Sequence, residues 1–431
     1  MSLVEYVAAE AQAVLDRCTA CGKCVEICPV TPHVDLGGET PESVTRSILG
    51  VLRSGAAPDP GAAAWAHACN GCGDCIPACP EGVNPRKMLV LANTLRASEE
   101  RRTPELFRKM SRAVRLMAGM QLVPREYARL LAPPVTREVP VVFYLGCNAL
   151  RTPHLLFNAM YVLDAIGVDY EVLGGPGVCC GIIHAKWEGE ARTAEQVTSF
   201  TLTRFADFKP EKVLSWCPSC QLHLGETLAG FRQTSFDLDH VTTFFVEHAA
   251  RLREQFTRPV ARRVVLHAHT GFGDLSANVA TLLSAIPGLT LLDTVLESGY
   301  TCGGSGCSRA PALMAIEHAQ LLDRVRETGA DTLVTFYHGC HAAFLPAEKD
   351  GRARVLNFTD LLVEALGGTP HDDVLKRYRL ADDAKLVLEE GVPHLRANGI
   401  EVDPALLERI LPELFSLAEF RGGLSCFSSP T

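Results

Sequence analysis

Thirteen of the seventeen cysteines in this 431-residue chain fall into sets whose spacing suits metal clusters. The middle set runs Cys147, then 31 residues, then Cys179-Cys180-Gly181, then 36 residues, then Cys217-Pro218-Ser219-Cys220. Adjacent cysteines rarely bridge each other. The Cys179-Cys180 pair has Gly175-Pro176-Gly177 before it and Gly181 after it, which predicts a tight turn where backbone can approach a bulky ligand. Soft thiolates at such turns select iron–sulfur clusters or zinc over hard cations. Five sulfurs exceed the four that one zinc or one cubane takes, so the excess points to a larger or unusual cluster.

The amino-terminal set is two copies of one run. Cys18-x2-Cys21-x2-Cys24-x3-Cys28-Pro29 returns as Cys69-x2-Cys72-x2-Cys75-x3-Cys79-Pro80. Three closely spaced thiolates wrap one face of a cubane, and the fourth, before the proline, ligates the other cluster. This assigns one [4Fe-4S] cluster to Cys18, Cys21, Cys24 and Cys79, and a second to Cys69, Cys72, Cys75 and Cys28. Ala20, Gly22, Gly71 and Gly73 are small enough to let backbone N–H groups turn toward the sulfurs. Structural zinc is the competing assignment, but eight ligands in crossed order suit paired cubanes better. The expected role is a wire that passes single electrons.

With "GVCCG" and "WCPSC" at this spacing, the middle set resembles the cysteine-rich CCG domain of the heterodisulfide reductase catalytic subunit. Iron–sulfur subunits of glycolate, lactate and anaerobic glycerol-3-phosphate dehydrogenases share it. The resemblance implies that Cys147, Cys179, Cys180, Cys217 and Cys220 hold a non-cubane [4Fe-4S] cluster at a disulfide-cleaving site. The front of the chain, including "CPEGVNPRKMLVLANTLR", resembles the helical two-cluster ferredoxin module of that enzyme's small electron-transfer subunit, also seen in succinate dehydrogenase.

Several elements must position these sets. Residues 1–16 read as a helix. Between the two runs, Val44, Ile48, Val51 and Leu52 recur at helical spacing, with Thr40 as N-cap and Pro41 in the first turn. Residues 96–129 hold nine basic and four acidic side chains at helical periodicity. That face packs the module on the next domain, or docks an acidic partner or a membrane subunit. "LLAPPVTREVP" marks a boundary, and beyond it the chain repeats. In the first copy, strands "VVFYLGC", "YEVL" and "KVLSWC" alternate with helices near 150–166 and 188–207. In the second, "RVVLHAHTG", "LTLLDTVLESGYTCGG" and "ADTLVTFYHGCHAAF" correspond. Such alternation implies βαβ units whose ligands gather at the carboxyl ends of the strands.

The second copy has Thr270, Thr301 and Tyr337 where the first has Cys147, Cys179 and Cys217, and keeps Cys302 and Cys340. A second five-thiolate cluster is therefore not expected. Cys302, Cys307 and Cys340, with His267 or His269 and His338 or His341 nearby, are candidates for a zinc or a further iron–sulfur site. The alternative is a vacant structural half. Cys426 stands alone and is expected to be unliganded. A helical tail ends in "DPALLERILPELFSLAEF", with Asp403 as N-cap.

The expected fold is multidomain: an all-α module for two [4Fe-4S] clusters (1–95), a basic helical linker (96–138), two parallel-sheet α/β CCG units (139–256, intact motif; 257–368, degenerate) and a helical tail (369–431). A net charge of −9 argues against non-specific nucleic-acid binding. No apolar run approaches the roughly 18 residues needed to span a bilayer. The start "MSLVEYVAAEAQAVLDRC" lacks a charged segment followed by an apolar core, so the expected setting is cytoplasmic, with thiols as ligands rather than disulfides, or peripheral at the membrane through a partner. No dinucleotide fingerprint follows a strand. Expected partners are a flavoprotein electron donor and a thiol or disulfide substrate, or a protein-bound thiol. The alternative is a pure relay between a flavin dehydrogenase and an electron-transfer flavoprotein or the quinone pool.

Overall fold

The computed structural model describes residues 1–97, 105–188, 190–299 and 310–415. Thr301, Cys302, Cys307 and Cys426 lie outside them, as do Glu99, Glu100, Arg101 and Arg102 of the basic stretch and the end of the last predicted helix.

The front of the chain is helical, with helices Leu3–Arg17, Pro41–Ser54, Pro60–Ala68 and Pro85–Ala97 as its main elements. Ser2 caps the first with a capping box to Glu5, and Thr40 caps the second by accepting from Ser43 N. The 3.6-residue stripe Val44, Ile48, Val51 and Leu52 is buried against Leu3, Tyr6, Val7, Trp65 and Met88. This small core holds the two cysteine runs, which lie on the loops between these helices except for Cys24, in the short helix Lys23–Glu26.

Two parallel four-stranded sheets follow. The first comprises β1 (Val141–Gly146), β2 (Tyr170–Gly174), β3 (Lys212–Ser215) and β4 (Asp237–His240) in the order β2-β1-β3-β4. The second comprises β5 (Arg263–His269), β6 (Thr290–Glu297), β7 (Thr332–Thr335) and β8 (Arg354–Asn357) in the order β6-β5-β7-β8. The same order twice is the structural form of the repeat seen in the sequence. β1 is buried along its whole length, as a central parallel strand covered by helices on both faces must be. The outer strands β4 and β8 carry too few apolar residues to stand out in the sequence. A register shift between Tyr144 and Gly146 ends β1 and turns Cys147 away from the ladder.

The basic stretch forms helices Glu105–Gln121 and Pro124–Leu131. The first is buried on two sides. Met110, Val114 and Ala118 enter the core of the α/β units, while Ala113, Leu116, Met117 and Met120 pack against the tail. Apolar packing therefore holds this helix, and its strongest neighbours are the tail helix Ala384–Ala397 and the turn after Cys147.

Candidate metal centres

The ferredoxin-type loops are built around left-handed residues. Ala20, Gly22, Gly71 and Gly73 have φ of 56°, 77°, 77° and 84°. Ala20 and Gly22 flank Cys21 as Gly71 and Gly73 flank Cys72, so the two runs share one backbone path. A Cβ at Gly22 would lie 2.7 Å from Glu42 N, where the loop meets the Pro41–Ser54 helix. The thiols of the two runs lie near one another. Cys18 is within electrostatic reach of Cys79 and Cys21, and Cys24 of Cys18 and Cys21. A small cavity is lined by Cys28, Cys69, Cys72 and Cys75, with Trp65 and Arg86. Burial pushes Cys24 up to about 11 and Cys75 to about 12, so neither thiol would ionise there without a compensating cation.

Arg86 fixes this loop to the rest of the molecule. Its side chain is 8% exposed, its Nε donates to Glu226 Oε1 at 3.1 Å, and its Nη2 donates to the other Glu226 oxygen. Nη1 donates to Gly71 O at 2.8 Å and to Gly271 O at 3.1 Å. One guanidinium thus joins the second cysteine run to both sheets. Asn70 adds a link, its Nδ2 donating to Ser298 O at 2.6 Å and its Oδ1 accepting from Cys72 N at 3.2 Å. Neither residue stood out in the sequence, where a lone arginine resembles any surface arginine.

The five cysteines of the middle set converge at the carboxyl end of the first sheet. Cys147 follows β1, Cys179 and Cys180 lie on the loop after β2, and Cys217 and Cys220 open the Pro218–Leu222 helix after β3. All five are buried, at 6% exposure or less. The thiols act on one another in the order Cys147, Cys179, Cys180, Cys220 and Cys217, each shifting the ionisation of its neighbours. The neighbouring thiol, and then burial, holds Cys147, Cys180 and Cys220 well above the ordinary thiol range. The same contacts hold Cys179 and Cys217 low. Five thiols packed this way cannot all ionise without a cationic guest.

The donor set fits a soft, bulky cluster. Gly146 has φ +73°, and a Cβ there would lie 2.8 Å from Cys217 Cβ and 3.1 Å from Cys220 Sγ. Gly181 has φ +91°, and its N–H donates to Cys179 Sγ at 3.5 Å. Thr198 and Thr201 donate their hydroxyls to Cys180 O and Cys179 O, pinning the double-cysteine loop on the Ala191–Ala206 helix. π-helical turns follow each cysteine pair, at Ile183–Glu188 and His223–Thr227. Tyr144 is fully buried under the set and donates its hydroxyl to Val178 O at 2.8 Å. No sequence periodicity announces a π-turn or a buried tyrosine of this kind.

In the second half, Cys340 meets His267 and His269, with one ligand atom of each within 4.8 Å of the others. His269 Nε2 lies 3.1 Å from Cys340 Sγ. Burial alone would lower His267, but the Glu297 carboxylate, 3.0 Å away, and Cys340 outweigh it and raise the imidazole to about 10. Ligation by His267 would therefore release a proton. Tyr337 is fully buried, and burial holds its hydroxyl well above the ordinary range, with Cys340 and Cys217 adding to the shift. His338 is also buried here, while His341 turns away to Asp373. Cys302 and Cys307 are outside the described residues.

Residues 14–83 match the family described as "4Fe-4S dicluster domain", and residues 141–225 match the "Cysteine-rich domain". The chain is similar to a dihydromethanophenazine:CoB--CoM heterodisulfide reductase subunit of Methanosarcina acetivorans, 23% identical over 401 residues, covering 82% of this chain and 94% of the relative. The protein of the same name from Methanosarcina mazei is 24% identical over 402 residues, with the same coverage. A probable glycolate oxidase iron-sulfur subunit of Bacillus subtilis is 23% identical over 427 residues, covering 81% of this chain and 94% of the relative. The iron–sulfur, oxidoreductase-subunit character of the chain rests on these matches. No helix among the described residues is long and apolar enough to cross a membrane.

Proposed function

We propose that this chain is the iron–sulfur subunit of a heterodisulfide reductase-like oxidoreductase. In this reading two cubane clusters, held by Cys18, Cys21, Cys24 and Cys79 and by Cys69, Cys72, Cys75 and Cys28, serve a third cluster. Cys147, Cys179, Cys180, Cys217 and Cys220 hold the third, which carries thiol/disulfide redox chemistry. A flavoprotein or other redox subunit is the electron donor, and the substrate is a thiol, a disulfide or a protein-bound thiol. The observation that carries the reading is the burial of all five middle cysteines in one group at the carboxyl end of a parallel sheet.

When bound, the clusters supply one-electron transfer and, at the five-thiolate set, iron that can meet a substrate sulfur. The chain's own contribution is placement and exclusion of water. Gly146 gives room beside Cys217 and Cys220, Gly181 lets the double-cysteine loop approach the Ala191–Ala206 helix, and Thr198 and Thr201 hold that loop. Arg86 holds the second cysteine run against both sheets. A cavity of about 480 Å³ runs along the loop that precedes Cys179, lined by Pro176, Gly177, Val178, Phe200, Arg115 and Arg204 among others.

A second reading is a relay without substrate chemistry, between a flavin dehydrogenase and an electron-transfer flavoprotein or the quinone pool. It is favoured by the second half, where Thr270 and Tyr337 stand in for cysteines and Cys340 alone among the described residues keeps a thiol of the motif. Anaerobic purification with iron analysis and EPR tests the cluster assignment, with about twelve irons per chain expected from three four-iron clusters. Adding thiols and disulfides then separates the readings. A shifted EPR signal supports substrate chemistry at the five-thiolate set, and an unmoved signal with every thiol leaves the relay.

A further inference from the structure

Two imidazoles and a carboxylate meet at the seam between the α/β units, in a group with no sulfur. His154 lies in the first turn of the Pro153–Ile166 helix of the first unit. His341 lies in the His338–Lys349 helix of the second, and Asp373 caps the Val374–Ala381 helix of the tail. His341 Nε2 is 2.6 Å and His154 Nε2 3.3 Å from Asp373 Oδ2. The two rings stand 5.1 Å apart at 60°. One ligand atom of each residue lies within 4.8 Å of the other two.

Both histidines are almost wholly buried, at 1% and 0% exposure. Neither ring nitrogen of His154 makes a hydrogen bond, and Nδ1 of His341 makes none either. Leaving buried polar groups unsatisfied is costly, and such groups in native proteins are usually claimed by a partner or an ion. The carboxylate is already held for the purpose: Asp373 Oδ1 accepts from Lys376 N at 3.0 Å, which leaves Oδ2 to face the imidazoles. Around them, Asn158 Nδ2 donates to Asp360 Oδ1 at 2.7 Å and Asn158 Oδ1 accepts from His371 N at 2.8 Å, so the surrounding shell is fixed.

We propose that His154, His341 and Asp373 bind one divalent transition-metal ion of the zinc type, which ties the first unit to the second and to the tail. Two imidazole nitrogens and one carboxylate oxygen, with one position left for water, suit such an ion. The absence of sulfur separates this site from the iron–sulfur sets and from the His267, His269 and Cys340 group.

Cobalt(II) is the probe, because its spectrum reports whether thiolate is among the ligands. The full chain is produced in zinc-depleted medium with cobalt and purified without oxygen. About one cobalt per chain is expected, with weak visible bands and no intense near-ultraviolet sulfur-to-cobalt band. His154→Gln and Asp373→Asn should each lower cobalt at least tenfold while iron per chain stays at the wild-type value. Cys340→Ser should leave this cobalt in place. The proposal fails if no cobalt is retained, if a sulfur-to-cobalt band persists in the Cys340→Ser protein and is lost with His154→Gln, or if Cys340→Ser removes the metal and His154→Gln does not. Loss of iron together with cobalt in both seam variants also counts against it.

Discussion

Replacing Gly146 by alanine puts one methyl group into the floor of the five-thiolate site. The backbone there sits at φ +73°, a conformation that costs an L-residue roughly 1–2 kcal/mol. The added Cβ would lie 2.8 Å from Cys217 Cβ and 3.1 Å from Cys220 Sγ, closer than carbon and sulfur tolerate. Overpacking of this kind costs roughly 1–3 kcal/mol. The sum, roughly 2–5 kcal/mol, falls on the strand end that presents Cys147 and packs against Cys217 and Cys220. Since about 1.4 kcal/mol is a factor of ten, occupancy of that site should drop well over tenfold. In the Gly146→Ala protein, iron per chain should fall from about twelve to about eight, with the EPR signals of the amino-terminal clusters unchanged. Gly177→Ala is the matched control. It lies in the loop before the double cysteine, yet nothing stands within 4 Å of its added Cβ. A Gly146→Ala protein with full iron and an unaltered third signal would refute the assignment of the five cysteines to one cluster.

Arg86→Met removes a buried ion pair and two carbonyl contacts, leaving Glu226 short of its partner. The expected cost is about 3 kcal/mol, read as a thermal half-life shortened by at least tenfold in the anaerobic holoprotein, and an unchanged half-life would show that the guanidinium does not hold the loop. Burial pushes His240 down to about 4 against an ordinary value near 6.5, so the folded state resists its protonation. Its contribution, about 3 kcal/mol, is present above pH 6.5 and is lost as pH falls toward 4. Wild type should therefore lose thermal stability between pH 6.5 and 4.5 more steeply than His240→Asn, in which asparagine can still cap the Val241–Glu247 helix, and parallel profiles would contradict this. Ala20 pays for a left-handed backbone that its repeat partner Gly71 adopts freely, so Ala20→Gly should be neutral or stabilising by up to about 1 kcal/mol; a shorter half-life would overturn the strain argument.

Much of this protein could be read before its structure, because its strongest signals are local. Cysteine spacing names a cluster by itself: the two front runs and the double cysteine are short segments whose ligand geometry depends on few dihedrals. Helices Pro41–Ser54 and Pro153–Ile166, and strands β1 and β5, followed from apolar periodicity within a few residues. The helix predicted from residue 150 starts at Pro153 because residues 148–151 form a 3-10 turn that carries the chain away from Cys147. The repeat was legible too, and appears as one strand order used twice.

Contacts between distant segments were not legible, and there the tertiary structure decided. Glu226 and Gly271 are far from Arg86 in the chain, and only docking of the helical module brings them within hydrogen-bonding distance. His341 sits beside Cys340 in sequence and reads as its companion. The helix points successive side chains about 100° apart, so Cys340 turns toward His269 while His341 turns to Asp373 and His154. The sequence by itself determined which cysteines form sets and which families they resemble, because ligand type and spacing are local properties. Which histidines share a site, and which arginine holds the front module in place, depended on packing between elements that no local pattern encodes.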